Sequence, residues 1–393
     1  MALTGIFLMM VGFLFNRVVC NTGSLLIGIY TLLHIQKAVW IFRQPWMITF
    51  ILLAMVTVVS DILTEGTTFY MERGVMKMIL ILIPVFFFVW NPDKKRTNIL
   101  HHLILVGMLI STGYSLYHYI VHFEDMAATY KVSKVMPTLS LGDHIRISWV
   151  TGISCIIALY QYVHATNSVH RWLYLLYILI QMVFLHLLGA KTGLLSLYLS
   201  IVVYSAYTLA NNQKWLLTII IGVLLLALTV AYKTIPSLEQ RFNFVKYDFE
   251  HYSRGEYKEG LSDAVRFYSL QAGKSIIVEN PIFGVGFSRL QEKTEDWYRK
   301  NLPQMTSENY FLPSSELIIY WASGGIIGLL VFLLHILLPF FIRHLRSNVW
   351  FMTFYIPAIL SFMYETHLEG QLPLFAYAFF AACFWHIASK ENY

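Results

Sequence analysis

The chain has 393 residues, of which 57% are hydrophobic and only 13% are Asp, Glu, Lys or Arg. A soluble protein carries about a quarter of its residues charged, and this length gives no room to hide so much apolar surface from water. The net charge of +6 comes from basic residues that form neither a cluster nor a tail, which excludes nucleic acid as a partner.

Such a chain is expected to sit in a membrane. Aromatic residues make up 16% of it, as suits rings that anchor helices at the headgroup level. Cys20, Cys155 and Cys383 lie far apart without metal-ligand spacing and read as structural thiols. The start, Met1-Ala2-Leu3-Thr4-Gly5, lacks a basic n-region and a small-residue cleavage site, so the first apolar run is expected to be kept as a helix.

A membrane span needs about 20 largely apolar residues, because lipid offers no partner to a free backbone N–H or C=O. In chain order, spans are predicted near 2–17, 22–41, 46–62, 74–90, 99–120, 146–165, 172–189, 193–210, 214–231, 317–341, 350–364 and 370–388. The expectation is an all-α polytopic membrane protein of about twelve transmembrane helices with a large, partly helical extracytoplasmic loop. Arg43, Lys94-Lys95-Arg96, Arg171, Lys214, Arg343, Arg346 and Lys390 all fall on one face, which the positive-inside rule makes cytoplasmic. The organisation expected is a bundle of nine spans over 1–231, a cap over 232–316, and three spans with a cytoplasmic C-terminus over 317–393.

The loop 232–316 is too long for an idle connector. Apolar residues recur every three or four positions between Leu261 and Val278, which predicts an amphipathic helix lying on the membrane body. Asn280-Pro281 ends it and Gly284-Val285-Gly286 makes a tight turn. A second helical piece is expected to start near Thr306-Ser307-Glu308 and run into the span at 317.

Ionisable groups on the outer face are the candidates for chemistry. Lys191, in Gly189-Ala190-Lys191-Thr192-Gly193, is either a snorkelling end residue or an anion ligand. Asp143-His144-Ile145-Arg146 is either a neutralised pair or, through Arg146, part of an anion site with Lys191. Arg266 either bridges Asp263 on its own helix or grips a phosphate through parallel hydrogen bonds. Glu308, Asn309 and Tyr310 precede a span, and Glu316, Glu365 and Glu369 lie at similar depths. A carboxylate there serves as a general base or pairs with an arginine. No Walker loop, dinucleotide fingerprint, zinc motif or nucleophile elbow is present.

The stretch from Arg266 to Asn280-Pro281-Ile-Phe-Gly284-Val-Gly286 resembles the signature of the O-antigen ligase and polymerase family. Ser307-Glu308-Asn309-Tyr310-Phe311-Leu312 is similar to its His-Asn-x-Tyr-Leu element, and Leu188-Gly-Ala-Lys191-Thr-Gly193 to its Ser-Arg-x-(Gly/Ala) element. Asp143-His144-Ile145-Arg146 and Glu365-Thr-His-Leu-Glu369 resemble flanking elements, so the likeness runs from about 140 to 385.

The resemblance implies a glycosyltransferase of the bacterial inner membrane, working at its periplasmic face without metal or cofactor. Its donor would be a glycan on undecaprenyl diphosphate, and its acceptor lipid A core or another glycan repeat unit, with membrane lipids around it. Arg266, Lys191 and Glu308 would be catalytic. His144, Arg146, Asn309, Tyr310, Glu365 and Glu369 would bind substrate.

Two departures stand out. Lys191 replaces an arginine and loses its fork, and Glu308 replaces a histidine and cannot carry its positive charge. Ligase and polymerase remain alternatives, and a transporter or flippase of lipid-linked glycan is the rival from another class. That rival predicts repeats and mid-membrane polar breaks, neither of which stands out.

Overall fold

The structure, a computed structural model, describes residues 1–65, 71–123, 136–139, 143–209, 243, 246–247, 249–251, 253–254 and 262–391. Among these residues every regular element is helical and there is no strand. Helix α1 (Ala2–Phe15) ends at Asn16, whose backbone is extended and whose side chain accepts from the Val18 N–H at 2.8 Å. That cap starts α2 (Arg17–His34), so the first break falls at Asn16 and not in the expected 18–21 gap. A 3-10 stretch, Ile35–Arg43, carries α2 on to α3 (Pro45–Glu65).

Next come α4 (Met71–Lys77), α5 (Ile79–Trp90), α6 (Lys94–Val121), α7 (His144–His164), α8 (Ser168–Leu188) and α9 (Lys191–Leu209). The expected span at 214–231 lies outside the described residues. In the loop are α10 (Ser262–Glu279) and α11 (Leu290–Asn301), followed by α12 (Glu316–Leu337), α13 (Arg343–Arg346), α14 (Val349–Ser361) and α15 (Gln371–Glu391). Among the described residues, eight helices are long and apolar enough to cross a membrane, and Ala2–Phe15, Gly74–Trp90 and Val349–Ser361 are shorter apolar ones.

Helix α15 is the axis of the bundle, buried from Leu372 to Ala388 and packed on α5 and α14. It is apolar all round because it meets protein on every side. Helices α2 and α8 lie at the rim and turn Leu25, Leu32, Leu33, Trp172, Leu176 and Leu179 outward. Such apolar exposure is stable only against lipid. The three cysteines are free and buried. The junction of α8 and α9 is tight. Gly189 caps α8 in the left-handed conformation, and a Cβ on Gly193 would lie 2.5 Å from that of Ser148, so glycine lets α9 close on α7.

The stretch expected as a plain span at 317–341 is broken. At Gly325 the backbone adopts φ 61°, ψ −155°, a region open only to glycine. The rings of Tyr320 and Phe332 stack at 5.1 Å, although twelve residues of straight helix would set them about 18 Å apart. The two halves of α12 therefore fold back on each other. The break frees backbone groups inside the bundle, and the 280–286 turn satisfies them. Val285 N–H donates to Ala322 O at 2.9 Å, Gly286 N–H to Ser323 O at 2.9 Å, and Ile326 N–H to Ile282 O at 3.2 Å. Ser60 Oγ of α3 adds a bond to Ser323 O at 2.7 Å.

Gly284 and Gly286, both at positive φ, make the turn flat enough to enter the break. The amphipathic helix expected from 261 to 278 is α10. The helical piece expected to run from Thr306 into the span is instead a single 3-10 turn, Ser307–Asn309, and helix resumes only at Glu316.

Gly325→Ala should destabilise the protein by more than about 2 kcal/mol, because it forces positive φ on a Cβ that would lie 2.0 Å from Ile282 O. Gly113→Ala, in open space on α6, should be neutral or slightly stabilising. Thermal unfolding in detergent compares the two.

Candidate functional site

The candidate residues converge on the short connection 362–370 between α14 and α15. This segment is buried, so its polar groups need internal partners. Glu316 N–H donates to Phe362 O at 2.9 Å, and its carboxylate accepts from Leu368 N–H at 2.5 Å. Lys77 of α4, with no exposed side-chain surface, donates to Leu368 O and to Glu369 Oε1, both at 2.6 Å. Its ammonium also lies 5.4 Å from the Tyr320 ring and 5.8 Å from that of Phe287. A single buried lysine thus ties the connection to the folded-back half of α12.

Held in this way, the segment positions Glu365. Its Oε1 accepts from Arg266 Nη2 of α10 and, at 3.2 Å, from Thr192 Oγ1 of α9. Thr192 follows Lys191, which is exposed at the start of α9. One carboxylate oxygen therefore joins the element that carries Lys191 to the one that carries Arg266. Arg266 keeps about a third of its side chain exposed, and four of its five N–H donors are not used by Glu365. Tyr364 lies beside this pair. Burial and the Glu365 charge push its phenol above the ordinary range, and Arg266 opposes them.

Arg146 pairs with Asp143 at 2.9 Å, as one of the two readings expected, and lies against Gly370. His144, the first residue of α7, is half-buried beside it. His367 stacks on Trp149 with centroids 4.3 Å apart, and among the described residues neither of its ring nitrogens has a hydrogen-bond partner. Burial, reinforced by the Arg146 charge, lowers its pKa to about 3, so the ring is neutral.

Arg266, Lys191, Arg146, Glu365 and Glu369 thus gather around one segment, whereas Glu308, Asn309 and Tyr310 belong to a neighbouring layer. Tyr310 stacks on Tyr298 at 5.0 Å, within a cluster that includes Val265 and Tyr268. Asn309 Nδ2 donates to Thr306 Oγ1 at 2.9 Å. Glu308 is exposed, and among the described residues it makes no hydrogen bond or ion pair. Arg266 is paired with Glu365, and the side chain of Asp263, the partner expected within its own helix, lies outside what the structure describes.

With this geometry in hand, comparison with known families is informative. A family model described as O-antigen ligase matches residues 173–333. Over that stretch the chain is similar to the O-antigen ligase family. The match takes in Lys191, Arg266, the 280–286 turn and Glu308, and it stops short of Arg146 and Glu365, which the wider resemblance had included. No curated protein matches the chain. The match supports a transferase-type function on lipid-linked glycan in general.

Sequence reasoning passed over Lys77, Thr192 and His367. Lys77 had a signal, being an ionisable residue within the expected span 74–90, where such a group requires a partner. Thr192 and His367 had none. Their roles come from the folding together of α7, α9 and the 362–370 segment.

Two tests follow from these contacts. Lys77→Met should destabilise by about 3–5 kcal/mol, since it strands Glu369 and Glu316 without their cation. Lys77→Met with Glu369→Leu should recover part of that loss in thermal unfolding, and an unstable double variant counts against the pairing. His367 supplies a pH test. The unfolded chain binds a proton on this ring below about pH 6.5 and the folded one does not until about pH 3, so stability falls as pH drops through that window. The slope attributable to His367 is up to ~1.4 kcal/mol per pH unit, and His367→Phe should flatten the acid loss between pH 7 and pH 5.

Proposed function

We propose that this protein is a glycosyltransferase that moves an undecaprenyl-diphosphate-linked glycan onto an acceptor sugar hydroxyl at the periplasmic face of the bacterial inner membrane. The acceptor is lipid A core for a ligase or the end of a repeat unit for a polymerase. The observation that carries this reading is the Glu365 oxygen shared by Arg266 and Thr192, because it joins the helix that begins at Lys191 to the helix that carries Arg266. In this reading the chain crosses the membrane about twelve times. Residues 232–316 form the cap, between a nine-span bundle over 1–231 and three spans over 317–393.

The chemistry follows from those charges. Arg266, oriented by Glu365, has free N–H donors for the donor diphosphate, and Lys191 adds a second charge. The acceptor hydroxyl attacks the anomeric carbon, a new C–O bond forms, and the bond to the lipid diphosphate breaks with its electron pair going to the departing phosphate oxygen. Glu308, exposed at the loop layer, takes the hydroxyl proton. Direct displacement inverts the anomeric centre. Fixed cations carry the leaving-group charge, so transfer should persist in the presence of a chelator. His144, Arg146, Asn309, Tyr310 and Glu369 line or support the substrate path.

Purified protein supplied with polyprenyl-diphosphate-linked repeat units, with and without lipid A core, tests this reading. A ladder without core identifies a polymerase, core-dependent product identifies a ligase, and no product in either arm contradicts transfer. Arg266→Ala should lower the rate by about 100-fold or more with membrane insertion intact. Glu308→Gln should slow transfer by roughly 100-fold and leave donor KM nearly unchanged. An unchanged rate removes either residue from the mechanism.

A further inference from the structure

A groove not used by the transfer reading lies between α11 and the C-terminal end of α10. It is a cavity of about 590 Å³, and its walls include Thr64, Asn280, Arg289, Lys293, Trp297 and Lys300. The last four residues recur at helical spacing, so α11 turns one cationic and aromatic stripe to the cavity. Among the described residues, Arg289, Lys293 and Lys300 have no ion-pair partner. Glu279 and Asp296 also line the groove, but Asp296 is already held by Arg299 Nη1 at 3.1 Å. Uncompensated cations that are half-buried, as Arg289 and Lys293 are, favour an anion.

The level of the groove is defined by its floor. Thr64 closes the candidate span Pro45–Thr64, so the cavity opens where hydrocarbon gives way to water. Buried Asp61, one turn below, accepts from Ser288 N–H at 2.9 Å and Ser288 Oγ at 2.5 Å, which pins the chain immediately before Arg289. On the adjoining turn Val278, Ile282 and Phe283 are 72%, 59% and 64% exposed, an apolar wedge beside the cationic stripe. A groove with cations on one wall and an apolar flank at the membrane boundary suits an amphiphile whose phosphate sits in the groove and whose chains lie along the wedge.

We infer that this groove is a binding site for the phosphate-bearing headgroup of an anionic membrane lipid, distinct from the Arg266–Lys191 site. It anchors the cap to the leaflet and stands independently of the transfer reading.

The test uses the full chain in detergent with phosphatidylglycerol, phosphatidylcholine and inorganic pyrophosphate as probes, and native mass spectrometry counts retained lipid. Wild-type protein should retain phosphatidylglycerol over phosphatidylcholine by at least about tenfold, and Arg289→Gln/Lys293→Gln/Lys300→Gln should abolish that preference. Arg266→Gln should leave it intact, which separates this site from a failure of glycan transfer. A triple variant that keeps the preference overturns the assignment. Displacement of the lipid by pyrophosphate alone also overturns it, by making the groove a free-anion site. If the triple variant does not fold, Lys293→Gln decides: a fall of about fivefold supports the site, and no change removes it.

Discussion

The arrangement of α9 and α10 depends on Glu365. Its carboxylate lies within the connection between α14 and α15 and bonds both α10, through Arg266, and α9, through Thr192. An arginine next to a carboxylate has lost some of its attraction for an anion, yet the pairing fixes where its remaining donors point. A long, flexible side chain loses less entropy on binding a phosphate if one of its nitrogens is already held. The same carboxylate keeps Lys191 close by through its neighbour Thr192. Orientation by a carboxylate and attraction to an anion are therefore complementary here.

Glu365 can do this only because the segment behind it is rigid. Lys77 and Glu316 satisfy the backbone and carboxylate of residues 368–369, and both contact the half of α12 that folds back at Gly325. That fold is in turn splinted by Asn280-Pro281-Ile-Phe-Gly284-Val-Gly286. The motif that carries the family resemblance is thus structural in its contacts. It supplies N–H groups and an acceptor to a broken membrane helix, and no side chain of it reaches Arg266 or Glu365. A chain of contacts runs from the turn through α12 and Lys77 to the site.

Part of this was legible beforehand. The all-helical membrane character, the helix with its Asn-Pro end, and the glycine closeness around Lys191 follow from local rules of length, period and punctuation. The break in α12 was not legible, since Gly324-Gly325 in an apolar run suits a straight helix equally well, and the fold-back depends on the distant turn at 280–286. Site residues were recognised by type and by expected face, which placed Lys191, Arg146 and Arg266 together. Their partners were not recognised. Arg266 bonds to Glu365, 99 residues away. Pairings of that kind are written in tertiary packing. Glu308 shows the opposite case, a residue singled out by motif that no protein contact holds.

Proximity of the α9 and α10 cations is the claim on which the rest turns, and chemical cross-linking reads it most directly. Cysteines placed at Lys191 and Arg266, in a chain whose three native cysteines are buried, should be bridged within one molecule by a short flexible bis-maleimide. Both should also be blocked by an impermeant thiol reagent added from the same side of the membrane. Labelling from opposite sides, or labelling of each cysteine without any bridge between them, would contradict the account.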